Sequence, residues 1–285
     1  MTTLPGIIAK LASGELADFP RVRAHQFHPW SMFLTQLAAI ALQRAGKSDP
    51  RLSDADWRAM LLGLTDGARE PWCLVVEDLA KPAFFQPPAP EGTTDAWTRA
   101  DHPDNIDLLV TSKGHDVKPS LVAANDIEEW ILALVTLQTS QGYSGGKGGY
   151  KGVSRMKGGY GSRVRVGVSP DHGPSGRFLR DVTVLLGSWN RLIERGHTDG
   201  GISLTWVKAW NGESSLAMSQ LSPHFIEVCR RLRLERSHDG LACAYTTTHS
   251  RLCLPEVENG DVGDPWMCSP RARGWTPSLP SWPCW

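Results

Sequence analysis

Nothing periodic can run through "QTSQGYSGGKGGYKGVSRMKGGYGSRVRV", residues 138–166, and that break divides the chain. The stretch holds nine glycines, six Lys or Arg, three of the four tyrosines and no acidic residue. Each glycine inside a helix or strand costs roughly 0.5–1 kcal/mol relative to alanine, so this density excludes both. The fold must be assembled from elements on either side. The chain has 285 residues, 41% of them hydrophobic, enough for one large domain or two modest ones with a sizeable core. Formal net charge is zero, so any attraction to nucleic acid must be local.

The elements before the break read as helical. "HPWSMFLTQLAAIALQRAG" places apolar residues at helical spacing and stops at Gly46. "LSDADWRAMLLGL" offers Ser53 and Asp54 as caps and sets Trp57, Met60, Leu61 and Leu64 on one face. "PAFFQPPAP" is too proline-rich for a helix or central strand. "NIDLLVTS" reads as a short buried strand. "NDIEEWILALVTLQ" is the clearest helix, with Asn125 or Asp126 as cap and Glu128 and Glu129 at its positive end.

After the break, "GRFLRDVTVLLGSWNRLIERG" predicts an amphipathic helix closed by Gly196. "ISLTWVKAW" predicts a strand, and "SPHFIEVCRRLRLE" a helix with its arginines on a solvated face. "GLACAYTTTHSRLCLPEV" predicts a hairpin or two short strands. The fold class is α+β, with mixed helices and short antiparallel strands. Residues 268–285, with three tryptophans and no periodicity, are expected to be a disordered or non-native tail on a 1–267 domain. No apolar run reaches the length of a membrane span, the opening "MTTLPGIIAKLASGELADFP" does not read as a signal peptide, and six cysteines are not expected to make a disulfide framework. The expected setting is cytoplasmic, without a membrane partner.

Three functions could use residues 138–166. A phosphate-binding loop needs G-x-G-x-x-G or G-x-x-x-x-G-K-[ST] between strand and helix, and "GGKGGYKG" follows a helix and fits neither. A plain linker needs no cations or tyrosines. A nucleic-acid contact uses all three residue types: glycines for close approach, cations for phosphates, tyrosines for bases or ribose. Composition favours the last.

The blocks "LPGIIAKLASGELADFPRVRAHQFHPWSMFLTQLAAIAL", "KPAFFQPP", "IDLLVTSKGHDVK", "LQTSQGYSGGKGGYKGVSRMKGGYGSR", "LSPHFIEVCRRLRLE" and "ENGDVGDPW" occur in this order. Together they resemble the CasA family, the large subunits of type I-E CRISPR surveillance complexes (Cascade), over residues 4–267. The resemblance implies a non-catalytic subunit that helps recognise the protospacer-adjacent motif (PAM) in double-stranded DNA and helps recruit the helicase–nuclease. Its partners would be that DNA, the guide-RNA ribonucleoprotein and the other subunits; no cofactor or metal is implied.

By position, Gly142, Gly145, Gly146, Gly148 and Gly149 would form the PAM-side loop at the minor groove, with Lys147 and Lys151 on phosphates. Lys113, His115 and Lys118 would face the guide RNA or neighbouring subunits, and Arg155, Lys157, Arg163 and Arg165 would add basic contacts. The family's downstream basic PAM contact has no clear counterpart in this chain, and Arg251 is the position offered for it. The family normally continues past "GDPW" into a wedge and a helical bundle, both expected to be missing here. Some relatives carry a metal-binding C-x-x-C pair where this chain has "ANDIEEWILAL".

The alternative is a metal-dependent nucleic-acid hydrolase. Its material would be His238, Cys243, His249 and Cys253, or the carboxylates and histidine Asp101, His102, Asp104 and Asp107, or Asp171 with His172. The cysteine–histidine spacings match no standard finger, and the Asp-rich stretches read as turns.

Overall fold

The computed structural model describes residues 3–107, 126–141, 152–154, 162–163, 165–170, 173–238, 240–253, 262–264 and 266. Among these are five α-helices: α1 (Leu4–Ser13), α2 (Ala24–Arg44), α3 (Asp54–Gly63), α4 (Ile127–Ser140) and α5 (Pro174–Glu194). Five short strands accompany them: β1 (Thr98–Ala100), β2 (Ile202–Leu204), β3 (Leu221–Ile226), β4 (Arg231–Ser237) and β5 (Gly240–Thr246). The architecture is α+β. One antiparallel sheet has the order β1-β5-β4, and β2 pairs with β3 in parallel. No described helix is long and apolar enough to cross a membrane.

Local signals explain the helix ends. Ser53 caps α3: its Oγ accepts from Asp56 N–H at 3.1 Å while Asp56 returns to Ser53, a capping box. Asp126 caps α4, its Oδ1 accepting from Glu128 N–H at 3.0 Å. α2 ends at Arg44, and Gly46 follows in the left-handed region with φ 63°.

α2 is buried from Pro29 to Leu42 and forms the axis of the main core with α1, α3 and α5. The second core lies where α4 covers the three-stranded sheet: Trp130, Ala133, Leu134 and Leu137 meet Leu232, Leu234, Leu241 and Cys243. Leu132 and Val135 on the same helix belong to the main core. α4 is therefore enclosed on two sides, which is why its sequence is apolar around most of its circumference.

The proline-bracketed segment is neither helix nor strand, as expected, yet residues 83–89 are buried. Phe85 sits at φ 58°, a left-handed conformation that costs a non-glycine residue about 1–2 kcal/mol. The turn is held by its surroundings. Phe85 stacks on Trp206 with ring centroids 4.5 Å apart and meets Phe84 edge-on at 4.8 Å.

Three expectations need correction. "SPHFIEVCRRLRLE" is not a helix but β3, a connection and β4. In R-L-R-L the period is two: Leu232 and Leu234 face α4, and Arg231 and Arg233 the other side. Those arginines are not solvated either, because residues 74–97 cover them. Arg233 donates to the carbonyls of Val76 (2.8 Å) and Lys81 (2.9 Å), while Arg231 pairs with Glu91 and lies 4.9 Å from the Trp97 ring centroid. Second, "ISLTWVKAW" supplies only β2 before a 3-10 turn at Thr205–Val207. Third, β5 makes its hairpin with the preceding β4, with Ser237 opposite Gly240, rather than with the residues that follow. Of the strand predicted in "NIDLLVTS", residues 105–107 lie in and just after a 3-10 turn and the remainder falls outside the described residues.

Candidate nucleic-acid interface

The glycine-rich stretch departs from the C-terminal end of α4, and that end is built as a clamp. Gln138 is fully buried, and its amide makes four hydrogen bonds. Its Nε2 donates to Phe85 C=O (2.9 Å) and Arg230 C=O (3.0 Å). Its Oε1 accepts from Cys229 N–H (3.0 Å) and Arg230 N–H (2.8 Å). A primary amide has two donors and an acceptor oxygen with two lone pairs, so the group is saturated. One side chain thus ties α4 to the Phe85 turn and to the β3–β4 connection.

The chain then returns to this base twice. Val153 N–H donates to Gln141 C=O at 3.2 Å, so the flanks of residues 142–151 meet. Arg163 N–H donates to Ser140 C=O at 2.7 Å, bringing the far flank of residues 155–161 to the same helix end. These donors satisfy carbonyls that a helix C-terminus otherwise leaves open. Between the two, Ser154 N–H donates to Glu227 Oε2 at 2.9 Å. Residues 152–154 are buried, as are Ser140 and Gln141.

Arg163 and Arg165, expected as basic contacts for nucleic acid, are instead internal. Arg163 is 4% exposed and forms a bidentate pair with Asp264, Nε to Oδ2 at 2.6 Å and Nη2 to Oδ1 at 3.0 Å. Its Nη1 also donates to Gln36 Oε1 on α2 at 3.2 Å. Arg165 is 7% exposed and donates from Nη2 to Asp181 Oδ2 on α5 at 2.6 Å. Burial pushes the Arg165 pKa down, and Asp181 opposes that shift. Trp266 completes the cluster, with its ring centroid 5.2 Å from the Arg163 guanidinium and 5.8 Å from that of Arg165, and its Nε1 donating to Asp181 at 3.2 Å. Trp266 C=O accepts from Val166 N–H at 3.2 Å. The physical reason for the correction is that buried guanidiniums require carboxylates, and Asp181 and Asp264 supply them.

Arg251 is likewise buried. Gly142, Gly145, Gly146, Lys147, Gly148, Gly149 and Lys151 lie outside the described residues, as do Lys113, His115, Lys118, Arg155 and Lys157. The structure thus gives the base of the stretch and removes two arginines from its accessible charge.

Among the described residues, those weighed for hydrolysis form no group arranged to hold a metal. His238 lies at the β4–β5 turn and His249 beyond the far end of β5, separated by about seven residues of strand, roughly 20 Å at the usual rise. Cys243 and Cys253 are buried, and burial raises the Cys243 thiol far above its ordinary pKa. Asp104 pairs with Arg23 at 2.6 Å, and Asp107 meets His25 Nε2 at 2.6 Å and Gln26 Nε2 at 3.1 Å. These contacts fasten the 3-10 turn at Pro103–Asn105 to the start of α2. Asp171 and His172 lie outside the described residues. Among the described residues, no group of three or more His, Cys, Asp or Glu side chains is arranged to hold a metal ion.

Gln138, Glu227, Asp181 and Asp264 organise the site and were not singled out from the sequence. Only Asp264 carried a signal, because it sits in "GDPW". No family model, no curated protein and no solved structure matches this chain.

Proposed function

We propose that this chain is a non-catalytic DNA-recognition subunit of a type I-E CRISPR surveillance complex, similar to CasA. In this reading it contacts the PAM duplex through residues 142–151 and helps recruit the helicase–nuclease. The observation that carries the reading is the acid-free run of glycine, lysine and tyrosine at 138–166, set within five other ordered blocks that resemble the family. Convergence supports it as well. Parts of three of those blocks, at Gln138–Gln141, Glu227–Arg230 and Asp264–Trp266, meet around one buried base. A base of that kind would hold the two ends of a groove-reading loop in fixed register while glycines allow close backbone approach. Base pairing with the guide would read the remaining sequence.

The test is titration of assembled complex against duplexes with and without a PAM. Replacing Gly145 and Gly146 with valine adds bulk where the backbone must approach, and is expected to abolish the preference for the PAM duplex. Replacing Lys147 and Lys151 with alanine is expected to weaken both duplexes alike. If the glycine variant keeps wild-type PAM preference, the assignment of this stretch is wrong.

A further inference from the structure

We propose that the apolar cavity between α1, α3 and the N-terminal end of α4 binds a medium-chain carboxylate, an unbranched acyl chain with one anionic head. The cavity measures about 620 Å³. That volume lies within the range of small-molecule sites, which share its character of apolar walls with a few polar groups.

Three observations converge there. The first is the wall. Ile7 of α1, Leu61 and Leu62 of α3 and Ile131 of α4 face the cavity, with Trp30 of α2 and Phe84 beneath them. Trp30 and Phe84 both meet Phe33, at ring-centroid distances of 5.6 and 5.9 Å, so the floor is part of the main core. Ile7, Leu62 and Ile131 are only half-buried, and Ile127 on the same lining is 48% exposed. Apolar surface in a concave site gains by being taken out of water, and an acyl chain does that.

The second is the charge. Lys10, Asp18, Arg21, Arg58 and Glu128 also line the cavity, three cations against two carboxylates. Arg21 is used up, pairing with Glu128 at 2.8 Å and with Asp126. Asp18 accepts from Phe19 N–H at 2.7 Å. Among the described residues, the side chains of Lys10 and Arg58 have no ion pair or hydrogen bond, and both are exposed, so a ligand can reach them. A guanidinium fork fits a carboxylate, and an ammonium adds a second charge-assisted contact.

The third is the placement of charge beside the apolar wall. Lys10 follows Ile7 by three residues on α1, and Leu62 follows Arg58 by four on α3. Those spacings put each cation one helical turn from a wall residue on the same face. A neutral hydrocarbon would leave both cations unused, and a bare inorganic anion would leave the walls wet. An acyl carboxylate uses both, and the site does not depend on the reading of residues 142–151.

The experiment uses the full chain and decanoate below its aggregation concentration, followed by calorimetry, with octanoate, hexanoate and decanol as comparisons. Wild type is expected to bind decanoate, and each shortening by two carbons is expected to weaken binding roughly ten-fold. Lys10→Gln with Arg58→Gln is expected to lose about ten-fold for decanoate and to leave decanol unchanged. Both residues are exposed, so the fold is retained; circular dichroism checks this. Leu62→Asn is expected to weaken decanoate and decanol alike. Absence of decanoate binding in wild type overturns the site, as does unchanged affinity in both variants or decanol binding as tightly as decanoate. A dimer in light scattering that Leu62→Asn dissociates also overturns it, because a second copy of the chain then fills the cavity.

Discussion

Buried arginines sit in two runs that read alike in sequence, "RVRV" at 163–166 and "RLRL" at 231–234; Arg231 pairs with Glu91 as Arg163 and Arg165 pair with their carboxylates, but Arg233 is met differently. Arg163 and Arg165 are each met by a carboxylate, Asp264 and Asp181. Arg233 is fully buried and donates to main-chain carbonyls: those of Val76 and Lys81, and at longer range those of Asp78 and Gln86. The electrostatic consequence is visible in Arg233, whose pKa burial pushes down to about 10, with Asp78 and Glu235 opposing. A guanidinium facing a carboxylate holds two distant segments together by charge. One facing carbonyls supplies donors to a loop that has no strand partner. The lesson is that a basic, alternating run announces neither exposure nor nucleic-acid contact until its acceptors are located.

The largest effect is expected at the paired site. Asp264→Ala leaves Arg163 buried without its counter-ion and is expected to destabilise the fold by about 3–5 kcal/mol. Arg163→Met with Asp264→Leu removes both charges and is expected to recover most of that loss. Chemical denaturation of the three proteins checks this; a double variant as unstable as the single would mean the shape of the pair matters more than its charge.

Arg233→Met is expected to cost less, about 1–3 kcal/mol, because it removes a buried charge while leaving carbonyls without donors. If it proves as damaging as Asp264→Ala, the two regions are not energetically distinct.

The smallest effect is at high pH, near the connection that Gln138 clamps. Burial pushes the Cys229 thiol up from 9.0 to about 11. The folded state then holds its proton more tightly than the unfolded state. That contribution is fully present below pH 9 and is lost as pH rises towards about 11. Cys229→Ala is expected to flatten the fall in denaturation midpoint across this window. Parallel curves for wild type and variant would show that Cys229 does not titrate as described.

Helix caps were legible because their partners are adjacent. Ser53 and Asp56 lie three residues apart, and Asp126 and Glu128 two. The apolar spacing of α2 and α5 was legible for the same reason. The Arg163–Asp264 pair spans 101 residues and the Gln138–Arg230 bonds span 92, and no local pattern encodes them. "CRRLRLE" was misread because a helical reading left its arginines in water, whereas the cover comes from residues 74–97, far away in sequence. The glycine stretch itself was legible as a break and as a local charge. Which of its cations are available was not, since that depends on Asp181 and Asp264.

The salt dependence of duplex binding shows whether this stretch meets phosphates. With Arg163 and Arg165 internal, the stretch offers Lys147, Lys151, Arg155 and Lys157. At roughly −0.9 per neutralised phosphate, the slope of log K against log salt from this stretch should be no steeper than about −4. A slope of about −2 to −4 is expected for assembled complex, shallowing by roughly 2 when Lys147 and Lys151 become alanine. A slope that does not change in that double variant would contradict it, because the stretch would then not be what meets the phosphates.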